Sequence, residues 1–226
     1  MTKLYCFTYA GGNNSLYFKW KLESEFNFSI CPIKLKGHDY TDIDDYENLT
    51  DYVEDALNQI DSSEEFYLFG HSMGALLAYE TALRIQSKNL KSIFVSACAP
   101  PNISNLSIFK DGMKKDEFLE RVYELGGTPK EVFENKDLLN MVYPILRRDF
   151  KKVRHYRKQF RWDKLAKVNN PIHIFYGDQD SISQDCINNW KKFTTSYITV
   201  DKFSGNHFFI KTNSQEVLGK INEYIG

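Results

Sequence analysis

Gly70-His71-Ser72-Met73-Gly74 sits between the apolar run Phe66-Tyr67-Leu68-Phe69 and the helix-forming run Ala75-Leu76-Leu77-Ala78-Tyr79-Glu80-Thr81-Ala82-Leu83. The five residues have the form G-x-S-x-G. Strand, sharp turn and helix is the setting that gives this pattern mechanical meaning, because the turn lifts a serine hydroxyl above a sheet. Gly70 and Gly74 carry no Cβ, so strand and helix can close on one another around the bend. The N-terminus of the following helix favours negative charge beside Ser72 and Met73.

The rest of the chain supplies a sheet to hold that turn. Leu4 to Ala10 reads as a first strand ending in the loop Gly11-Gly12-Asn13-Asn14. Ser29 to Leu35 reads as a second, and Pro32 places it at an edge. Thr50 stands as the cap of a helix reaching Ile60, with Tyr52, Val53, Ala56, Leu57 and Ile60 as its apolar stripe. Lys91 to Ala97 is a further strand, closed by Pro100-Pro101. Ile172 to Tyr176 and Tyr197 to Val200 are two more, and Glu216 to Tyr224 is a C-terminal helix. Strands alternating with helices imply an α/β fold, a mostly parallel sheet covered on both faces. One stretch breaks the alternation. From Leu106 to about Phe160 no strand is legible. Lys114 to Leu125 reads as a helix stopped by Gly126-Gly127. Thr128 and Pro129 suit the start of another. Lys136 to Leu146 and Arg148 to Tyr156 read as two helical segments. A helical insertion between sheet strands reads as a lid over the strand ends.

At 226 residues, with 42% hydrophobic and 15% aromatic residues, the chain suffices for one α/β domain over 1–226. A formal net charge of −1 argues against bulk attraction to nucleic acid. No signal peptide or membrane span is legible, and neither nucleic acid nor membrane is expected as a partner. Cys6, Cys31, Cys98 and Cys186 are scattered, as for buried free thiols in a reducing cytoplasm. Without a C-x-x-C pair or a His/Cys cluster, no metal is expected. Charge is uneven. Asp39 to Glu65 holds eleven acids and no Lys or Arg, whereas Arg147 to Arg161 holds eight Lys or Arg and a single acid, Asp149. Both runs read first as solvated helix faces. The basic run is also a candidate docking face for an acidic partner.

A serine hydroxyl is a weak nucleophile and needs a base that is itself oriented by a third group. In the α/β-hydrolase arrangement the order along the chain is Ser, then Asp or Glu, then His. Of five histidines, only His207, in the loop Ser204-Gly205-Asn206-His207-Phe208-Phe209 after the last strand, has that order and place. His71 points away from the serine oxygen, His173 is strand structure, His155 lies among basic helix residues, and His38 follows Gly37 in a loop near the strand ends. Tyr176-Gly177-Asp178-Gln179-Asp180 offers two acids at a strand end. Asp180, slightly farther out, is assigned to His207. Asp178 is the alternative and is expected to make a turn hydrogen bond. An oxyanion needs two preorganised N–H donors. These are assigned to Met73, directly after the serine, and to Ala10 in Tyr9-Ala10-Gly11-Gly12.

With these motifs in order, the chain resembles the type II thioesterases, the free-standing thioesterases of nonribosomal peptide and polyketide assembly lines. Phe7-Thr8-Tyr9-Ala10-Gly11-Gly12 is similar to that family's F-P-x-A-G-G, and Gly70 to Gly74 to its G-H-S-M-G. Gly126-Gly127-Thr128-Pro129 and Leu146-Arg147-Arg148-Asp149-Phe150 resemble its lid segments G-G-T-P and L-R-x-D-F. Gly177 to Asp180 and Gly205 to Phe209 resemble its G-x-x-D and G-x-H-F-F. The resemblance implies a Ser72–Asp180–His207 triad and hydrolysis of acyl or aminoacyl groups from the phosphopantetheine arms of carrier domains. These would be transient partners of a cofactor-free cytoplasmic monomer. Thr8 replaces a usual proline, Asn206 a common glycine, and Leu35-Lys36-Gly37-His38 stands where L-P-G-R is frequent, making His38 a candidate for the pocket edge. Two other readings compete: an esterase or lipase-like hydrolase of small acyl esters, and a non-catalytic binding protein on the same fold.

Overall fold

The structure, a computed structural model, describes residues 1–38, 46–103, 109–110, 112–126, 128, 130–160 and 165–226. Six strands form one sheet: β1 (Lys3–Phe7), β2 (Ser29–Pro32), β3 (Phe66–His71), β4 (Leu90–Ser96), β5 (Ile172–Gly177) and β6 (Ile198–Phe203). Their order is β2-β1-β3-β4-β5-β6 and every pairing is parallel. All six residues of β3 are buried, as are six of the seven in β4. Strands covered on both faces read as near-continuous apolar runs, which is how Phe66 to Phe69 reads. Pro32 is tolerated because β2 lies at the edge, paired only with β1.

The chain starts in β1, runs out to β2, then returns to the other side of β1 for β3. Strand order reverses between β1 and β3. In open parallel sheets the crevice outside such a reversal is where ligands bind. Both the Tyr9–Gly12 loop and the serine turn leave the sheet at this point.

The helices are α1 (Ser15–Glu23), α2 (Asp51–Gln59), α3 (Met73–Ile85), α4 (Lys115–Glu124), α5 (Lys130–Glu134), α6 (Lys136–Gln159), α7 (Gln184–Asn188), α8 (Phe209–Thr212) and α9 (Ser214–Ile225). The first strand stops at Phe7, so Tyr9 and Ala10 belong to the loop. The second stops at Pro32 and not Leu35, because Ile33 N donates to Cys6 O as the last sheet-like bond and the chain then turns. Thr50 precedes α2 but makes no side-chain cap bond. Helix α1 is not legible in the sequence. Leu16, Tyr17 and Trp20 are buried while Phe18 and Leu22 are exposed, so apolar residues surround it without a stripe.

Helices α4, α5 and α6 form the insertion between β4 and β5. They carry a small apolar cluster of their own, Phe109, Met113, Phe118, Leu119, Val122 and Leu146. The two segments expected from Lys136 to Tyr156 are one continuous helix of 24 residues that keeps Pro144 inside it. Asn135 caps it, its side chain accepting from the Asp137 and Leu138 amides. Ile145, Leu146, Asp149, Lys152 and Val153 face inward at helical spacing, so tertiary burial outweighs the hydrogen bond lost at Pro144. The expected lid start at Leu106, the second glycine of Gly126-Gly127, and Pro129 lie outside the described residues, as does Arg161 of the basic run.

Candidate active site

Parallel strands bring their C-terminal ends to one edge, and Ser72, Asp180 and His207 follow three different strands there, β3, β5 and β6. The turn after β3 is strained: Ser72 has φ 56° and ψ −115°. A non-glycine residue at positive φ is uncommon and persists only where its surroundings enforce it. Two close approaches do so. A Cβ on Gly70 would lie 2.0 Å from Gly74 O, and one on Gly74 would lie 2.2 Å from Phe7 O. Helix α3 is thus packed directly on the backbone of β1. Ser72 N donates to Ser96 O at 2.8 Å, tying the turn to β4. Met73 opens α3, where backbone N–H groups have no partner within the helix.

The loops after β5 and β6 are fastened together. Gly205 N donates to Asp178 Oδ1 at 2.9 Å, and Gln179 N donates to Gly205 O at 2.9 Å. This leaves the second carboxylate for the imidazole: His207 Nδ1 donates to Asp180 Oδ2 at 2.9 Å. The Asp180 side chain is only 2% exposed and that of His207 12%. A carboxylate on Nδ1 fixes the tautomer, so Nε2 is the ring nitrogen free to accept a proton. Asn206 accepts from Phe208 N through its side chain.

The other histidines have different surroundings. His71 is fully buried, hydrogen-bonded through Nδ1 to Ser96 Oγ at 2.9 Å. Burial holds its imidazole well below the usual histidine range, and the neighbouring His207 and Lys211 act in the same direction. It is therefore a neutral group beside the serine turn. His173 is buried in β5, bonded to Thr199 Oγ1. His155 is exposed on α6, next to Gln159. His38 is not at the edge of the serine cavities. It is 4% exposed behind the loop after β1, with Nδ1 on Gly12 O at 2.7 Å and Nε2 3.4 Å from Asp149 Oδ2. The short Leu35–His38 turn, in which His38 N donates to Leu35 O, carries its ring inward.

Two cavities meet at Ser72, and Ala10, Leu125, Phe150 and His207 line both of them. The larger, about 240 Å³, runs between the loop after β1 and the insertion, past Asn13, Ser15, Thr128 and Lys211. The smaller, about 70 Å³, is walled largely by Met73, Leu76, Ala97, Phe109 and Val153. Cys98 also lines it, but burial raises its thiol to about 11, so it is no competing nucleophile. All four cysteines are free; Cys6 and Cys98 are buried, and Cys31 and Cys186 half-buried.

The basic run is not a continuous solvated face. Arg147 Nη2 donates to Met113 O, Arg148 Nη2 to Gly37 O, and Lys152 Nζ to Tyr52 Oη. Arg157 is 8% exposed and donates to the carbonyls of Pro100, Ile103 and Ala99. Arg148, Lys152 and Arg157 seat α6 on the body, and Arg147 ties it to the rest of the insertion at Met113. Lys151 and Lys158 are exposed and Arg154 half-buried. One buried polar residue of this region, Asp149, received no role from sequence reasoning. Its signal was visible as the single acid in a basic run.

The model of the thioesterase domain family matches residues 2–225. The chain belongs to the thioesterase family. This thioesterase is 28% identical to the gramicidin S biosynthesis protein GrsT of Aneurinibacillus migulanus over 223 residues, covering 96% of this chain and 86% of that one. It is also 28% identical to the medium-chain S-acyl fatty acid synthase thioesterase of Rattus norvegicus, covering 95% of this chain and 83% of the relative. Among solved structures it is similar to ClbQ from the colibactin NRPS/PKS pathway. The TM-score there is 0.85 at 29% identity, with 99% of this chain and 96% of that one covered. The protein is accordingly a hydrolase acting on thioesters, with a parallel sheet of α/β-hydrolase type. Among the described residues no helix is long and apolar enough to cross a membrane.

Proposed function

We propose that this thioesterase, one domain over residues 1–226, frees short acyl or aminoacyl groups from phosphopantetheine arms of carrier domains in the cytoplasm. Ser72 is the nucleophile, His207 its base, and Asp180 the group that orients and charges the imidazole. His207 Nε2 takes the Ser72 proton as Oγ attacks the thioester carbonyl. The oxyanion forms against the N–H groups of Met73 and Ala10. Collapse expels the arm as a thiolate, a good leaving group that His207 can protonate. Water, deprotonated by His207, then attacks the acyl-serine; the Oγ–acyl bond breaks, His207 returns the proton to Ser72 Oγ, and the acid leaves.

The observation that carries this reading is the meeting of two unlike cavities at one serine. A carrier-bound thioester is a long polar arm joined to an acyl group, and the carbonyl between them must sit at Ser72. The 240 Å³ cavity with polar residues along it suits the arm. The 70 Å³ cavity suits the acyl group. A protein cavity of roughly 150 Å³ holds benzene. About half that volume accommodates a chain of a few carbons. The names of GrsT and ClbQ, which place those relatives in gramicidin S biosynthesis and the colibactin NRPS/PKS pathway, support a carrier substrate here. Helices α4 to α6 act as the lid, their own apolar cluster giving them independent cohesion.

The test is hydrolysis of acyl groups presented on a phosphopantetheinylated carrier domain. Acetyl- or propionyl-carrier should turn over with kcat/KM at least tenfold above both octanoyl-carrier and an aryl ester of the same short acid. Faster turnover of the aryl ester would favour the esterase reading instead.

A further inference from the structure

Helix α6 touches the loop after β1 at one point, and the contact there is closely fitted. Tyr9-Ala10-Gly11-Gly12 forms a four-residue turn in which Gly12 N donates to Tyr9 O at 2.9 Å. Gly11, its third residue, has φ +70°. Positive φ at that place is the mark of a type II turn, which differs from type I by a flip of the central peptide, here Ala10–Gly11. Three side chains hold the turn in this state. His38 Nδ1 bonds Gly12 O at 2.7 Å. Leu146 of α6 lies so close that a Cβ on Gly11 would come within 2.3 Å of its Cδ2. Asp149, one helical turn on from Leu146, accepts the Gly11 N–H on Oδ2 at 2.7 Å.

Asp149 is fully buried, and among the described residues its ion-pair partner is His38, at 3.4 Å. A charged carboxylate in that position is costly unless it is well bonded. Burial opposes protonation of His38, yet Asp149 and the Gly12 carbonyl outweigh it and the imidazole is shifted upward. The carboxylate thus serves the turn twice, directly at the Gly11 N–H and through His38, which bonds the Gly12 carbonyl. We propose that Asp149 is a positioning residue for thioester hydrolysis: by fixing the Gly11 N–H it holds the Ala10–Gly11 peptide, so that the inserted helix α6 completes the oxyanion site built on the sheet. This rests on the assignment of Ala10 as an oxyanion donor. The Ala10 N–H lies in the preceding Tyr9–Ala10 peptide, which shares the Ala10 Cα with the held one. Loosening the Ala10–Gly11 peptide therefore reaches that donor through a shift of Ala10, and displacements of about 1 Å in such sites cost on the order of 100-fold in rate.

The discriminating comparison is Asp149→Asn against Asp149→Glu. Asparagine loses the charge but keeps an acceptor oxygen in place for Gly11. Glutamate keeps the charge but moves its oxygens by a methylene. With a short acyl thioester, Asp149→Asn is expected to retain kcat within about fivefold, and Asp149→Glu to lose about 20- to 100-fold, with KM changed less than threefold in both. A merely structural ion pair with His38 predicts the opposite order. Glutamate equal to or better than asparagine overturns the proposal, as does kcat within twofold of wild type in both. Hydrogen exchange of the wild-type Gly11 amide gives a test that needs no variant. Protection of at least tenfold over an unstructured glycine is expected, and none would overturn the proposal. Ser72→Ala run alongside separates the two levels: an active Ser72→Ala enzyme refutes the triad itself, whatever Asp149 does.

Discussion

Replacing Asp180 by Asn separates the two acids of the Gly177–Asp180 segment. In the structure Asp180 Oδ2 accepts from His207 Nδ1 at 2.9 Å, and both side chains are nearly closed to water. When His207 takes the Ser72 proton, a positive charge forms about 4 Å from the carboxylate centre. At an effective dielectric of about 20, that pair is worth roughly 4 kcal/mol. This corresponds to about 10³ in rate. Asparagine removes the charge and also permits the wrong imidazole tautomer, which takes the expected loss toward 10⁴ in kcat. Asp178 accepts the Gly205 N–H on Oδ1, and asparagine keeps that oxygen, so Asp178→Asn should cost about fivefold or less. The assay is release of free thiol from a short acyl thioester at saturating substrate, with KM and thermal midpoint recorded for each variant. The reasoning is refuted if Asp178→Asn is the more damaging, or if Asp180→Asn loses less than about 30-fold while folded.

Gly74→Ala should act through backbone contact, since its Cβ would lie 2.2 Å from Phe7 O and 2.6 Å from Thr8 O. Separating α3 from β1 should cost about 2–3 kcal/mol, seen as a fall of roughly 5–10 °C in thermal midpoint, together with loss of activity; an unchanged midpoint contradicts the packing described. Acid should destabilise the fold partly through His173, whose imidazole burial lowers to about 4. Its contribution is present above the unfolded value near 6.5 and is lost as pH falls toward 4, because the unfolded chain binds the proton first. About 3 kcal/mol is at stake, and denaturant titrations at pH 7 and pH 4.5 should show a smaller difference in His173→Gln than in wild type.

Most of the sheet was legible because Phe66 to Phe69 of β3 and Ile93 to Val95 of β4 are continuous apolar runs bounded by turn residues. The serine turn was legible because Gly70 and Gly74 are needed for contact between backbones, a requirement that local sequence displays. Asp180 and His207 were legible by strand order, since parallel strands must deliver their following loops to one edge. Helix α1 was not, because Phe18 and Leu22 point to solvent beside buried Tyr17 and Trp20 and erase the stripe. The continuity of α6 through Pro144 was not legible either. Burial of its inner face, decided by residues far along the chain, overrides the local penalty. The inward turn of Lys152 and Arg157 depends on partners such as Tyr52 and the Pro100 carbonyl, which no local charge pattern announces. His38 and Asp149 lie more than a hundred positions apart, and only the docking of α6 on the loop after β1 brings them together.

Covalent chemistry at Ser72 is the centre of the account, and trapping the acyl-enzyme tests it most directly. Wild-type protein mixed with a short acyl thioester and quenched in acid within the first turnovers should gain the mass of one acyl group. Peptide mapping should place that group on Ser72. Ser72→Ala should gain none and should hydrolyse the substrate at least about 10⁴-fold more slowly. An acyl group found on another residue, or a Ser72→Ala enzyme within tenfold of wild type, would contradict the assignment.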